Sequence, residues 1–162
     1  MNRIIMAENY KHTQIGYFTI AVFSVVFLIV LSVYAGENLA DGEGRVLPVT
    51  LLILLLFLIN FSTLTVKVTR NEIIWYFGPG LWKFRLKLDE VQAVAVTRSS
   101  IWEGVGIRWN PYKGMLFNVS GQHAVKIIRK NGKSTRIGTN QPQELLQAIR
   151  QSAGFTGQQV RL

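Results

Sequence analysis

The chain has 162 residues, of which 49% are hydrophobic, and it carries 18 Lys and Arg against nine Asp and Glu, a formal net charge of +9. This length provides for about one domain and an additional element. The sequence contains no cysteine, which excludes disulfide bonds, thiolate nucleophiles and thiolate metal sites.

Two uncharged segments, residues 15–35 and 46–66, dominate the first part of the chain. At about 1.5 Å per residue, each segment reaches roughly 30 Å, the thickness of a bilayer hydrocarbon core. We predict two transmembrane helices joined by an external connector, residues 36–45. A cleaved signal peptide is the alternative for the first segment. Its apolar run exceeds the usual length of roughly 7–15 residues, however, and a second run follows at once.

The charges that flank these segments predict their orientation. The connector carries Glu37, Asp41 and Glu43 against Arg45 alone, whereas cations lie before the first segment and after the second. Because cytoplasmic flanks of membrane helices are rich in Lys and Arg, we expect both termini in the cytoplasm. Residues 1–14 are then a short cytoplasmic segment, which we expect to lie at the membrane interface.

From residue 67 the composition changes to short runs with the alternation of β-strands, separated by Gly or Asn turns. The predicted strands are residues 65–70, 73–77, 83–88, 91–98, 105–109, 115–119, 123–129 and 134–137. The pair Asn131-Gly132 is a strong signal for a two-residue hairpin. An amphipathic helix closes the chain, since Pro142 is tolerated in a first turn and Gly154 fits the position after a last one.

Four segments resemble the bacterial pleckstrin-homology-like (PH-like) domains that are fused to a pair of membrane helices. They are LDEVQAVAV at 88–96, GVGIRW at 104–109, FNVSG at 117–121 and HAVKIIRKNGKSTRIGTNQPQELLQAI at 123–149. The resemblance covers residues 66–154, and its last part is the most specific. It implies a bacterial inner-membrane protein with a curved antiparallel sheet, close to a barrel, whose open end is capped by the C-terminal helix. It implies little about activity, because this fold hosts lipid binding, peptide binding and self-assembly.

The expected fold class is therefore an α+β, multi-pass membrane protein. A two-helix transmembrane hairpin is followed by residues 67–162, a cytoplasmic PH-like antiparallel β-sandwich or partly open barrel with a C-terminal α-helix.

Positive charge is concentrated in residues 67–162, which hold 15 Lys and Arg against five Asp and Glu. Alternation places Lys83, Arg85 and Lys87 on one strand face, about 7 Å apart from one to the next. Together with Lys67 and Arg70, expected just past the membrane exit, they form a candidate surface for anionic lipid or an acidic partner. A second basic patch is expected around the hairpin: Lys126, Arg129, Lys130, Lys133 and Arg136. A solvated strand face is the alternative for both.

The stretch GVGIRWNPYKGMLFNVSG at residues 104–121 mixes glycine, aromatic and cationic residues. It lacks the third glycine of a dinucleotide-binding motif, which disfavours a phosphate-binding loop. We predict instead two strands joined by an exposed tip with Asn110, Tyr112 and Lys113. That tip is a candidate partner contact. Cations alternating with aromatic residues also occur in platforms for single-stranded nucleic acid, but aromatic residues in a small sheet are more often core. Nucleic acid is therefore disfavoured.

No catalytic or metal site is predicted, and no cofactor. The two histidines, His12 and His123, lie on opposite sides of the predicted hairpin, and the adjacent carboxylates Asp89 and Glu90 fit a turn better than paired acid–base catalysis. We expect a non-catalytic binding or scaffolding module for a protein partner or a second copy. Anionic-lipid recognition, or an accessory role in a membrane transport or secretion assembly, is the alternative.

Overall fold

The computed structural model of the chain describes residues 8–36, 46–98 and 106–154. The helices in it are α1 Tyr17–Gly36, α2 Val46–Phe61 and α3 Pro142–Ala153, with a short 3-10 helix at Leu88–Glu90. The strands are β1 Glu8–Ile15, β2 Thr63–Thr69, β3 Glu72–Phe77, β4 Trp82–Lys87, β5 Val91–Arg98, β6 Gly106–Asn110, β7 Gly114–Asn118, β8 His123–Arg129 and β9 Ser134–Gly138. The fold is mixed α+β.

The first two helices are apolar and contact one another. Among the described residues, Tyr17–Ala35 is the helical segment that is long and apolar enough, by length and composition, to cross a membrane, with a mean hydropathy of 2.6. The second helix is also apolar but has 16 residues, about 24 Å of rise. Most large side chains of both helices are exposed.

The strands form two sheets. The first has the order β1-β2-β3-β4, and the second has the order β5-β8-β9-β7-β6. Every ladder is antiparallel except that between β7 and β9, which is parallel. This pair differs from the wholly antiparallel sheet that we expected. It arises because β8 returns to pair with β5, so that β9 lies beside β7 and runs in the same direction.

One hydrophobic core lies between the two sheets and α3. Its centre is aromatic: the Phe117 ring lies 4.7 Å from that of Phe84 and 5.3 Å, edge-on, from that of Trp75. From α3, Leu145 and Ile149 are completely buried. An apolar helix followed by a β-rich domain with a C-terminal helix is compatible with a PH-like fold.

The strand β1 is absent from the sequence prediction, which gave residues 1–14 as a polar segment at an interface and began the first helix at residue 15. In the structure β1 pairs antiparallel with β2. Its inward side chains are Tyr10, His12 and Gln14, whose polar character gives the alternation no hydrophobic signal. The strand is specified by backbone pairing and by contacts with α3 instead.

The other predicted strands lie within two residues of β2 to β9. The second helix differs more, because it ends at Phe61 and residues 63–66, assigned to the second span, belong to β2. Thr63 and Thr65 are β-branched and therefore favour a strand. The strand β2 pairs with β1 on one side and with β3 on the other. The last helix ends as predicted, with Gly154 in the left-handed conformation at φ 70°.

Candidate functional site

Strand continuity gives the β-domain two distinct ends. Strand β1 passes through Gly16 directly into α1, and α2 passes through Ser62 directly into β2. We call the end at Ile15 and Thr63 the helix end. Because β2 extends about 20 Å from Thr63 at roughly 3.3 Å per residue, the opposite end at Thr69 lies well away from the helices. We call it the far end.

The outer face of the first sheet carries cations from three strands. One row of residues crosses the four strands of this sheet. Its members, from β1 to β4, are Lys11, Lys67, Ile74 and Arg85. Sequence reasoning missed Lys11 as a member of this face because it did not predict β1. The sequence has no alternation that marks Lys11 and Thr13 as outward, because the inward residues of β1 are polar as well.

A cleft of about 650 Å³ opens at the far end of the domain. Its walls come from the β2–β3 turn, the end of β4, the 3-10 helix and the last turn of α3. It is lined by Arg70, Asn71, Glu72, Arg85, Lys87, Leu88, Asp89, Ser152 and Ala153. Three of the five cations of the first predicted patch therefore meet here, in a space within the usual range for ligand sites, roughly 300–1,000 Å³.

The cleft has a positive balance, with three cations against the carboxylates of Glu72 and Asp89. The closest opposite charges are Arg85 Nη1 and Glu72 Oε1, which are 3.8 Å apart. The Arg85 side chain is 62% exposed, so water screens this pair, and such pairs contribute at most about 1 kcal/mol. The guanidinium group therefore still faces solvent and can receive a further carboxylate.

Helix α3 is held at the cleft by β1. Asn9 Nδ2 donates a hydrogen bond of 2.9 Å to Ser152 Oγ, and the Tyr10 hydroxyl donates one of 3.4 Å to Gln141 Oε1. Burial raises the pKa of Tyr10 above its usual 10.0; a hydrogen bond with Thr139 lowers it, and the charge of Glu144 adds to the rise. The strand that sequence reasoning missed thus positions one wall of the cleft.

The position of Arg70 differs from the prediction. The sequence placed Lys67 and Arg70 just past a membrane exit, since the second span was expected to end at residue 66. The helix ends at Phe61 instead, and the chain then runs as extended β2, so Arg70 follows the last residue of that strand at the far end.

The stripe on β4 is divided between the two ends. Lys83 follows Trp82 at the helix end, and its Nζ lies 5.6 Å from the centroid of the Tyr76 ring. Lys87 is about 13 Å further along the strand and lines the cleft. The predicted surface is therefore a row along the whole domain, with only its distal half in the cleft.

The second predicted basic patch does not form a single surface. Arg136 of β9 is 3% exposed. It lies between its ladder partners, Lys126 of β8 and Leu116 of β7. Arg129 lies on the opposite strand face from Lys126, and its Nη2 donates a 3.2 Å hydrogen bond to Thr135 Oγ1. The remaining two cations, Lys130 and Lys133, are exposed at the hairpin. Strand alternation and burial under neighbouring strands thus separate cations that are close in sequence.

The predicted tip lies between β6 and β7. Asn110 Oδ1 accepts hydrogen bonds from the backbone nitrogens of Tyr112 and Lys113, at 2.8 and 3.0 Å, so Asn110 shapes the turn. Tyr112 is 93% exposed and Lys113 is exposed. Trp109, which ends a predicted strand and was expected to be a core residue, is 71% exposed. Ser134 Oγ donates to the carbonyl oxygen of Lys113 and holds the tip beside β9.

Comparison with protein-family models gives no match to this chain, and comparison with curated proteins gives none either. Within residues 8–36, 46–98 and 106–154, no group of three or more His, Cys, Asp and Glu side chains is placed to hold a metal ion. The chemistry of the site therefore rests on its own geometry, which is that of a basic cleft with two exposed arginines, Arg70 and Arg85.

Proposed function

We propose that this chain is a membrane-anchored, non-catalytic binding protein whose far-end cleft receives an acidic segment of a protein partner. The observation that carries the proposal is the position of the cleft. Arg70, Arg85 and Lys87 line it; Arg70 and Lys87 lie about 20 Å, and Arg85 about 13 Å, from the end at which the helices join the sheet. Arginine matches carboxylates well because its planar fork donates two parallel hydrogen bonds.

The proposed anchor is a two-span hairpin, α1 and α2, in a bacterial inner membrane with both termini in the cytoplasm. Both helices are apolar and expose large side chains, and both join the first sheet at the same end. The acidic connector and the basic β-domain support this orientation through the positive-inside rule. A reporter that works only in the cytosol, fused after Leu162, is expected to be active, and an inactive fusion contradicts the orientation.

The β-domain in this proposal is PH-like. Two sheets around one core, closed by α3, support that assignment. In such a fold the ligand is determined by the site rather than by the architecture.

The distance favours a protein segment over the lipid of the anchoring membrane. Charges in water at physiological salt are screened over about 8 Å, and the cleft cations lie roughly 13–20 Å along the strands from the helix end. Lipid headgroups around α1 would act on Lys83 long before they reached Lys87. A flexible acidic peptide has no such restriction.

The proposal is tested on the full chain in nanodiscs of neutral lipid, because β1 precedes α1 and an isolated domain from residue 67 lacks it. The probe is a fluorescein-labelled glutamate-rich peptide, followed by fluorescence anisotropy. The variant Arg70→Ala/Lys87→Ala removes two cleft cations, and the matched control Lys130→Ala/Lys133→Ala removes two exposed cations of the hairpin. We expect the cleft pair to weaken binding about tenfold or more and the control pair by less than about threefold.

Equal weakening by the two pairs would mean attraction by net charge alone and would overturn the cleft. Displacement of the peptide by soluble glycerophosphate at similar concentrations would favour lipid-headgroup recognition instead. To identify the partner, a photo-crosslinking residue is placed at Ser152, in the cleft wall. Adducts with subunits of one transport or secretion assembly would assign the chain to it as an accessory subunit.

A further inference from the structure

The turn between β3 and β4 lies directly against the C-terminal end of α2. Gly78 N donates a 3.0 Å hydrogen bond to the carbonyl oxygen of Thr63, just after the helix. A Cβ atom at Gly78 would clash with the carbonyl oxygen of Ile59 and would lie 2.9 Å from the Cα of Asn60. The close approach fixes the turn at the point where the apolar helix stops.

The side chains that follow this turn are large, apolar and exposed. Leu81 is 73% exposed, and Trp82 is 54% exposed. The Trp82 ring lies 6.3 Å from that of Phe61, which in turn stacks at 6.0 Å on Phe57 of α2. The apolar surface of α2 therefore continues without interruption onto the turn.

A cation ends this apolar surface. Lys83 is exposed and lies next to Trp82 on β4. Tryptophan favours the boundary between hydrocarbon and headgroups, where its amphipathic ring is stabilised, and Lys extends its ammonium group towards the phosphates. The order Leu, Trp, Lys thus follows the polarity of a bilayer from its hydrocarbon to its headgroup layer.

We propose that residues 78–83 form a third membrane contact, in which Leu81 and Trp82 enter the interfacial layer of the bilayer that holds α1 and α2, and Lys83 binds lipid phosphate. This inference rests on the proposed membrane anchoring. Continuity with the apolar surface of α2 identifies the occupant as the bilayer, since a soluble partner on Leu81 and Trp82 would have to displace lipid beside Phe61.

The contact would determine how the β-domain stands on the membrane. The contacts of Gly78 with the end of α2 put the turn and Phe61 at one depth. Because α2 rises about 24 Å, less than a typical hydrocarbon core of about 30 Å, this depth is at the edge of the hydrocarbon. With α1, α2 and the turn all engaged, the domain has three points of attachment and cannot tilt freely. The far-end cleft is then directed away from the bilayer.

The test measures the depth of Leu81 in the full chain. Because the sequence has no cysteine, a single Leu81→Cys substitution takes one nitroxide label, and the protein is placed in vesicles of phosphatidylcholine and phosphatidylglycerol. Collision of the label with oxygen reports on hydrocarbon, and collision with a water-soluble nickel chelate reports on water. The reference positions are Val26→Cys, in the middle of α1, and Tyr112→Cys, at the β6–β7 tip.

We expect the nickel collision rate at position 81 to be at least threefold below that at position 112, with an oxygen rate between those at 26 and 112. A label at 81 that behaves like the one at 112 overturns the proposal. Low rates for both oxygen and nickel would indicate a protein surface over Leu81, such as a second copy, and would also overturn it. If the label at 26 reports water, the anchoring itself has failed, which separates the two proposals.

Tryptophan fluorescence gives a second readout without a label. In vesicles of lipids brominated near the headgroup, Trp82→Phe is expected to remove at least half of the lipid-dependent quenching. The matched control is Trp109→Phe, which removes another exposed tryptophan, near the end of β6. This variant is expected to change the lipid-dependent quenching by less than about 20%. Equal quenching in wild type and Trp82→Phe would contradict the contact.

Discussion

The backbone nitrogen of Gly16 donates a 2.7 Å hydrogen bond to the carbonyl oxygen of Ser62. Gly16 lies between β1 and α1, and Ser62 lies between α2 and β2. The Gly16 carbonyl then accepts from Ile20 N at 2.9 Å and begins α1. A Cβ atom at Gly16 would lie 2.9 Å from the carbonyl oxygen of Val119. Only a residue without a side chain fits, so the helices are joined to the β-domain by direct backbone contact rather than by a linker.

The same junction is tested at Gly78. We expect Gly78→Ala to destabilise the protein by about 2 kcal/mol or more, because the methyl group meets the backbone of α2 and φ is +49°. The matched control is Gly132→Ala, at φ +80° with no atom within 4 Å of the new methyl group, for which we expect about 1 kcal/mol. Thermal unfolding of both variants in detergent measures the difference, and equal losses would contradict the contact with α2.

The balance of charge in the cleft predicts the effect of Glu72. The variant Glu72→Gln removes one of the two cleft carboxylates and releases Arg85 from its 3.8 Å partner. We expect the acidic peptide to bind roughly two- to fivefold more tightly, since the partner's carboxylate no longer competes with Glu72. Anisotropy titrations in nanodiscs measure this change. Unchanged affinity would show that the peptide does not contact Arg85.

The aromatic core predicts a large loss for Phe117. We expect Phe117→Ala to lower the free energy of unfolding by about 3–5 kcal/mol, because the ring is buried and packs against Trp75 and Phe84. Tyr112→Ala, at the exposed tip, is expected to change it by less than about 0.5 kcal/mol. Denaturant titration followed by near-ultraviolet circular dichroism compares them. A small effect at Phe117 would mean that the two sheets do not share this core.

Alkaline pH is expected to weaken the attachment of β1 through Tyr10. Its pKa is raised in the folded protein, mainly by burial, so the folded state holds the proton more tightly than the unfolded chain does. The associated stability is complete below the unfolded pKa of 10.0 and is lost as pH rises through the folded pKa.

The variant Tyr10→Phe isolates this effect. It is expected to be about 1 kcal/mol less stable at neutral pH, where it lacks the hydrogen bond to Gln141. As pH rises above the unfolded pKa of 10.0, its stability is expected to fall less than that of the wild type, since it has no hydroxyl to ionise. Melting temperatures over this range are the measurement, and parallel curves would exclude Tyr10 as the titrating group.

Most of the β-domain could be predicted from the sequence because its strands alternate strongly and its turns contain Gly or Asn. The helix α3 could be predicted from its apolar face and from Gly154 at its C-terminal end. The strand β1 was not, since Tyr10, His12 and Gln14 are polar and are fixed by residues more than 100 positions away. Local periodicity contains no information about such partners. The parallel pairing of β7 with β9 was missed for the same reason.

The candidate site was only partly predictable. Alternation placed Lys83, Arg85 and Lys87 correctly on one exposed face. It did not reveal that a wall from α3 encloses only the distal part of that row, nor that Arg136 is buried. Enclosure and burial depend on how separate elements pack, and charge composition alone does not determine either.

The pairing of β1 with β2 has a consequence for biosynthesis. The eight residues of β1 leave the ribosome before either helix, yet their ladder partner follows α2. With the proposed two-span anchor, the first sheet therefore stays incomplete until both helices have crossed the bilayer. If only one of the two helices crossed the bilayer, β1 and β2 would lie on opposite sides of it, and β2 would have an unpaired sheet edge. Such an edge is open to pairing with other chains, so completion of the first sheet depends on the insertion of both proposed spans.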